Sequence, residues 1–240
     1  MLILRSFRPG GGEPSYSPFC VKAMCLLEMS GMDWQPRWET MPNGPYRHLP
    51  ALETPDGVIG DSNLILSWLE AQGAPMFPGF DATARAMAHM TIRTVEESLR
   101  HALTTQRWVD DAGWHHTKPT LFGGMPAPVR AVLPELFRGK VRKGLHWQGF
   151  TRLSESDRMA WVGADLDALE GVLGDGDWLF GDRPSAADCA AVPFLSMMNA
   201  HPVDTPLRRA LRSRGRLMDY VARGRSQLYP EVSSSLSAAA

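Results

Sequence analysis

Apolar positions in the first seventy residues alternate between strand-length runs and helix-spaced sets. Leu2-Ile3-Leu4 with Phe7 predicts a buried first strand, and the Gly- and Pro-rich segment 8–16 a loop. Ser17-Pro18 reads as an N-cap followed by proline in the first helical turn. Cys20, Met24 and Leu27, with Ala23 and Leu26 alongside, then recur at helical spacing until Gly31. Trp34 to Thr40 predicts a second strand, and Pro36 places it at a sheet edge. Pro42, Asn43, Gly44 and Pro45 make a loop. Residues 51–59 read as a hairpin turning at Pro55-Asp56-Gly57, and Asp61-Ser62 caps a helix whose apolar face is Ile65, Trp68 and Leu69. The order β-α-β-loop-β-β-α predicts a small mixed sheet with helices packed on it.

The pattern changes near residue 75. Two prolines and a glycine in 75–81 predict a linker, and helical spacing follows at about 82–114, 126–143, 155–173, 185–200 and 204–222. Val162, Leu166, Leu169 and Leu173 form the clearest stripe, with Ser154 as its cap. The expected organisation is an α/β domain over 1–74, a linker over 75–81, an all-α domain over 82–225 and a loose tail over 226–240.

Composition narrows the function. The chain has 240 residues, 44% hydrophobic and 21% charged, with a formal net charge of -1, the balance of an ordinary globular protein. That charge gives no bulk attraction to nucleic acid or anionic lipid. No apolar stretch approaches the ~20 residues of a membrane span, and the N-terminal apolar run is too short for a secretory signal. Three unevenly spaced cysteines argue against a disulfide framework and for a reducing cytoplasm. The seven histidines do not fall into ligand pairs, so no metal is expected. Phosphate-loop, serine-hydrolase and Cys-x-x-Cys patterns are missing. Arginines 208 to 225 read as a solvated helix face.

The strongest chemical feature is Ser17-Pro18-Phe19-Cys20 at the start of the first helix. A helix N-terminus presents free N–H groups and about half a unit of positive charge, and a thiolate placed there is stabilised. Ser17 as N-cap sets its hydroxyl at the mouth of that field. Cys20 lies one turn further in, on the stripe with Met24 and Leu27, as a core thiol or a redox group. Trp108 and Trp114 either pack helices or line an apolar pocket facing the thiolate.

In order and spacing, Ser17 to Cys20, the Leu49-Pro50 step, Asp61-Ser62 and the Ser185-Ala186-Ala187-Asp188 capping box resemble the cytosolic glutathione transferase superfamily. Within it, Ser17 to Lys22, Glu96-Glu97 with Arg107-Trp108, and Gln148-Gly149 with Arg152 resemble the failed-axon-connections and metaxin-like group. The resemblance covers roughly residues 1–200. It implies a thioredoxin-like N-terminal domain, a helical C-terminal domain, and glutathione as co-substrate between them. Ser17 would hydrogen-bond the glutathione sulfur and act as the catalytic residue, with Phe19 beside it. Leu49 would pair its backbone with the cysteinyl part, Pro50 would be the cis proline exposing it, and Asp61 and Ser62 would hold the γ-glutamyl end. Trp108 and Trp114 would serve a second-substrate pocket. The implied function is conjugation of glutathione to a small electrophile, a detoxification reaction, by a cytoplasmic homodimer. Phe7 stands where tyrosine-type members carry their catalytic hydroxyl. Two other readings stay open: a thiol–disulfide reductase working through Cys20, and a non-catalytic metaxin-like binding or assembly module.

Overall fold

The computed structural model describes residues 1–230. Strand β1 (Leu2–Phe7) lies inside a four-stranded sheet of order β2-β1-β3-β4. It runs parallel to β2 (Trp34–Glu39), with Leu2 opposite Trp34, and antiparallel to β3 (Ala51–Thr54), with Leu4 opposite Leu52. Strand β4 (Gly57–Gly60) closes the predicted hairpin on β3. Pro36 sits on the edge strand β2, where its missing N–H costs no ladder bond. Helices α1 (Pro18–Ser30) and α2 (Ser62–Ala71) complete a thioredoxin-like half.

The second half is helical, as expected, but its helices join differently. Helix α3 (Ala82–Arg93) runs without a break through a π-helical segment, Thr94–Leu99, into α4 (Arg100–Thr104) and a second π segment, Thr105–Val109. The run stops at Asp110, which is extended, before α5 (Asp111–Phe122) and α6 (Ala127–Trp147). Next come α7 (Glu155–Leu173), capped by Ser154 through the Asp157 amide, and α8 (Ala186–Asn199). The single helix expected over 204–222 is two, α9 (Pro206–Arg212) and α10 (Gly215–Leu228). Gly113 lets α5 approach the second π segment: a Cβ there would stand 1.6 Å from the Gln106 carbonyl oxygen.

Helix α8 joins the two halves. From Ala186 to Met198 it is buried on every side, and its apolar residues share one core with α1, Leu4 and Leu52. Ser185 and Asp188 form the predicted capping box, and Asp188 also accepts from Leu179 N at 3.0 Å and Tyr220 OH at 2.9 Å. The linker is tied down as well: Met76 is buried, and its carbonyl accepts from Ala186 N at 2.8 Å. The expected loose tail from 226 is corrected at its start. Helix α10 continues to Leu228, and Tyr229 bonds Glu13; the tail from 231 onward lies outside the described residues. The late arginines are paired rather than simply solvated: Arg214 with Asp167, Arg216 with Asp175, and Arg223 with Asp177. Among the described residues, no helix is long and apolar enough to cross a membrane.

Candidate active site

Ser17 is the N-cap of α1. Its backbone is extended, and its Oγ accepts from Cys20 N at 3.4 Å. That bond uses the oxygen as acceptor and leaves the hydroxyl proton free to donate. Ser15 Oγ in turn accepts from Ser17 N at 3.3 Å, so the residue is braced from both sides. Cys20 is fully buried in a cluster with Leu49 and Ala51, against which Phe7 packs. Burial pushes its thiol above the ordinary value, against hydrogen bonds with the Phe7 backbone and the Ser6, Ser17 and Ser15 side chains. This is a packed thiol, and it seats the first turn of α1 directly on the Leu49-Pro50 step.

The Leu49–Pro50 peptide is cis. The Pro50 carbonyl accepts from Asp61 N at 3.1 Å, which couples this step to the start of α2. The approach to it requires Gly44, where a Cβ would stand 2.1 Å from the His48 carbonyl oxygen. Asp61 has φ +74°, a region that L residues rarely occupy and that costs roughly 1–3 kcal/mol. It is held there by the Pro50 bond and by capping Asn63 N at 2.8 Å, while its Oδ2 stands 3.4 Å from His48 Nε2. Ser62 is fully buried, and among the described residues its Oγ has no hydrogen-bond partner. A buried hydroxyl at a helix N-terminus, left without a partner, suits a carboxylate supplied from outside.

Behind these groups lies a charge cluster whose role sequence reasoning missed. The Lys22 ammonium in the middle of α1 is paired with Glu96 of the first π segment, and both are nearly inaccessible, at 0% and 1%. Asn63 closes the triangle, accepting from Lys22 Nζ at 2.7 Å and donating to Glu96 Oε2 at 2.6 Å. The π segment brings Glu96 to Lys22, and Asn63 passes the constraint to Asp61 and Ser62. Glu96 and Lys22 stand in strings that resemble a known group, but nothing in those strings pairs one with the other.

The loop before Ser17 is also held from the helical half. Arg107, on the second π segment, donates to the Tyr16 carbonyl at 2.9 Å and lies over the Tyr16 ring at 4.2 Å. Tyr16 OH donates to Thr117 Oγ1 at 3.0 Å. Glu13, nearly fully buried, accepts from Ser196 of α8 and from Arg225 and Tyr229 at the end of α10.

The remaining predicted residues are Phe19, Trp108 and Trp114. The Phe19 ring packs edge-on against Phe194 of α8, with centroids 5.2 Å apart. Trp108 and Trp114 pack against each other at 5.4 Å and both meet Phe122 edge-on; Trp114 is buried and donates to Glu135. The packing role weighed for these tryptophans is thus occupied, and Trp108 alone of the two stays half-buried. Among the described residues, no group of three or more His, Cys, Asp and Glu side chains is placed to hold a metal ion.

Known proteins share this architecture. Residues 18–113 match the model of the glutathione S-transferase N-terminal domain, and residues 162–224 that of the glutathione S-transferase C-terminal domain. The chain is 28% identical over 235 residues to an isoprene-epoxide–glutathione S-transferase of Rhodococcus sp. (strain AD45), covering 95% of this chain and 99% of the relative. Two solved structures align over nearly the full length at low identity. The glutathione transferase F7 of Populus trichocarpa has a TM-score of 0.61 at 17% identity, covering 97% of this chain and 98% of its own. A glutathione S-transferase of Xanthobacter autotrophicus Py2 has a TM-score of 0.59 at 19% identity, covering 96% of each chain. With both domain models matching in order across a thioredoxin-like sheet and a helical half, the chain belongs to the glutathione S-transferase superfamily.

Proposed function

We propose that the protein conjugates glutathione to a small electrophile, with an epoxide as the first class to test. The observation that carries this reading is the unpartnered, buried Ser62 hydroxyl at the start of α2, coupled through Asp61 to the cis Leu49–Pro50 step. Ser62 receives the γ-glutamyl carboxylate and Asp61 its ammonium, while the Leu49 backbone pairs with the cysteinyl unit. Ser17 Oγ–H donates to the sulfur and favours its ionised form.

The energetics suffice. A thiol with pKa ~8.5 is only about 3% ionised at pH 7, and lowering it to ~6.5 gives roughly three-quarters thiolate. That shift is worth ~2.7 kcal/mol. One charge-assisted hydrogen bond supplies ~1.5–3 kcal/mol and the helix terminus ~0.3–1. The name of the Rhodococcus relative supports a strained cyclic ether as electrophile. In that reaction the carbon–sulfur bond forms as the ring carbon–oxygen bond breaks, and water protonates the released oxygen. Half-buried Trp108 is the better placed of the two tryptophans to meet such a substrate.

The buried Cys20, with its raised thiol pKa, counts against the reductase reading, because exchange needs an accessible thiolate. The narrower likeness to the failed-axon-connections and metaxin-like group runs through Lys22, Glu96 and Arg107. All three form part of the framework behind Ser17 and Ser62, which favours a binding site over a pure assembly role. Three free, buried cysteines are in keeping with a reducing cytoplasm.

Calorimetric titration with glutathione, followed by turnover of a panel of epoxides, tests the proposal, and Cys20→Ser is carried alongside. Expected are binding between micromolar and low-millimolar and conjugation that survives in Cys20→Ser, whose new hydroxyl meets the same Ser6, Ser15 and Phe7 groups. No binding heat overturns the reading. A folded Cys20→Ser protein without any activity transfers it to the reductase.

A homodimer is proposed through the α2–α3 face. Exposed Leu64, Met87 and Met90 stand there beside a groove of about 270 Å³ lined by Leu66, Phe77 and Ile92 together with Glu70, Arg85 and Arg93. Sedimentation equilibrium is expected to give twice the chain mass, and a monomer at all concentrations refutes it.

A further inference from the structure

Glu13 is the most unusual group in the loop leading to Ser17. It belongs to a Gly- and Pro-rich connection of the kind that stays in solvent, yet it is only 3% exposed. Ser196 Oγ donates to its Oε1 at 2.7 Å, and Tyr229 OH donates to its Oε2 at 2.8 Å. Arg225 pairs with Oε1 and places a second nitrogen on the Gly12 carbonyl at 2.8 Å. The groups around the carboxylate are therefore Arg225 and Tyr229 from the end of α10, Ser196 from α8, Arg107 from the second π segment and Cys25 from α1. A bridge between Gly10 and Glu13 closes the loop on itself, with backbone bonds of 3.1 and 3.2 Å.

Three residues separate Glu13 from Ser17, and two of them are anchored. Ser15 braces the Ser17 amide, and Arg107 and Thr117 fix Tyr16. Glu13 fixes the far end of this arm, and its partners come from residues 183 to 216 positions later in the chain. A hydroxyl that is to donate to a bound sulfur must be held to within about half an ångström.

We infer that Glu13, Arg225 and Tyr229 are positioning residues for Ser17: the end of α10 sets, through the 10–16 loop, the geometry in which the Ser17 hydroxyl meets the glutathione sulfur. The inference rests on the reading of Ser17 given above. It deepens that reading by making thiolate formation in the N-terminal half depend on α10. None of the three is among the residues assigned above to glutathione, which are Ser17, Leu49, Asp61 and Ser62.

The test is the pKa of the bound glutathione thiol, read from its ultraviolet thiolate absorbance without any electrophile, in the parent, Arg225→Gln, Arg225→Lys and Tyr229→Phe. Arg225→Gln is expected to raise that pKa by about one unit, roughly tenfold less thiolate below it, and Tyr229→Phe to cost about threefold. Arg225→Lys keeps the charge on Glu13 and is expected to recover part of the loss. Glutathione affinity is expected to stay within about twofold throughout. If Arg225→Gln does not fold, Tyr229→Phe, which loses one hydrogen bond, decides the matter. Folded variants whose bound thiol keeps the parent pKa overturn the inference and leave Ser17 intact. A parent that binds glutathione without lowering its thiol pKa overturns the Ser17 reading, and this inference with it.

Discussion

Replacing Ser17 with alanine should cut conjugation at pH 7 by about three- to eightfold while weakening glutathione binding only slightly. The hydroxyl is assigned to the thiolate and not to the peptide, so its removal acts on the balance between thiol and thiolate. Losing ~1.5–2 kcal/mol of that preference raises the bound thiol's pKa by about 1–1.5 units. The sign fixes the pH dependence: the deficit is largest below the parent's thiol pKa and shrinks as pH rises through that of the variant, where the thiol ionises unaided. The same change removes the α1 cap, which costs about 1 kcal/mol of stability and a few degrees of melting temperature. A pH–rate profile with one small epoxide, beside a melting curve, separates the two effects. A thiol pKa unchanged from the parent would reduce Ser17 to a helix cap.

Glu96→Ala should be the most destabilising single change at the site. It leaves the Lys22 ammonium in the middle of α1 with no opposite charge and no route to water, because Lys22 is fully inaccessible. Removing one partner of a buried pair costs about 3–5 kcal/mol, which for a chain of this size lowers the melting temperature by roughly 10 °C. Asn63 loses its acceptor in the same step, so glutathione affinity should fall as well, through Asp61 and Ser62. The double variant Lys22→Met with Glu96→Leu removes both charges and should recover most of the stability. Thermal melts of the three proteins decide it, and a Glu96→Ala melt within 2–3 °C of the parent, about 1 kcal/mol, would mean that water reaches Lys22.

Much of the fold could be read from local pattern. The cap at Ser17-Pro18, the edge position of Pro36, the hairpin over 51–59 and the Val162 to Leu173 stripe each follow from spacing over a few residues. The cis geometry of Pro50 leaves no trace in spacing and was expected only from the family resemblance. What stayed hidden depends on contacts between distant residues. Lys22 and Glu96 are 74 positions apart, and no periodicity marks a lysine in an amphipathic run as buried. The π segments carry an extra residue per turn, which blurs the 3.6-residue repeat that would have shown which face Glu96 takes. Helical spacing was expected to stop near residue 114, yet α5 continues to Phe122 with Pro119 inside it. Glu13 sits among glycines and prolines that ordinarily mark exposed loops, and its partners come after residue 195. The site was therefore legible where it rests on helix starts, and illegible where buried charges hold those starts in place.

The two buried charges of the N-terminal half also set an order of events during synthesis. Lys22 finds its partner when the chain has grown past Glu96, early in the helical half. Glu13 waits until Arg225 and Tyr229 emerge, 212 and 216 positions later. Until then the loop that carries Ser17 holds an uncompensated carboxylate and stays in water, however complete the sheet beneath it. Loop closure over so long a span is entropically slow to find but adds little further cost per residue. Pairing in the N-terminal half is therefore sequential along the chain: the Lys22 cluster can close once Glu96 is present, and the loop before Ser17 only once α10 is.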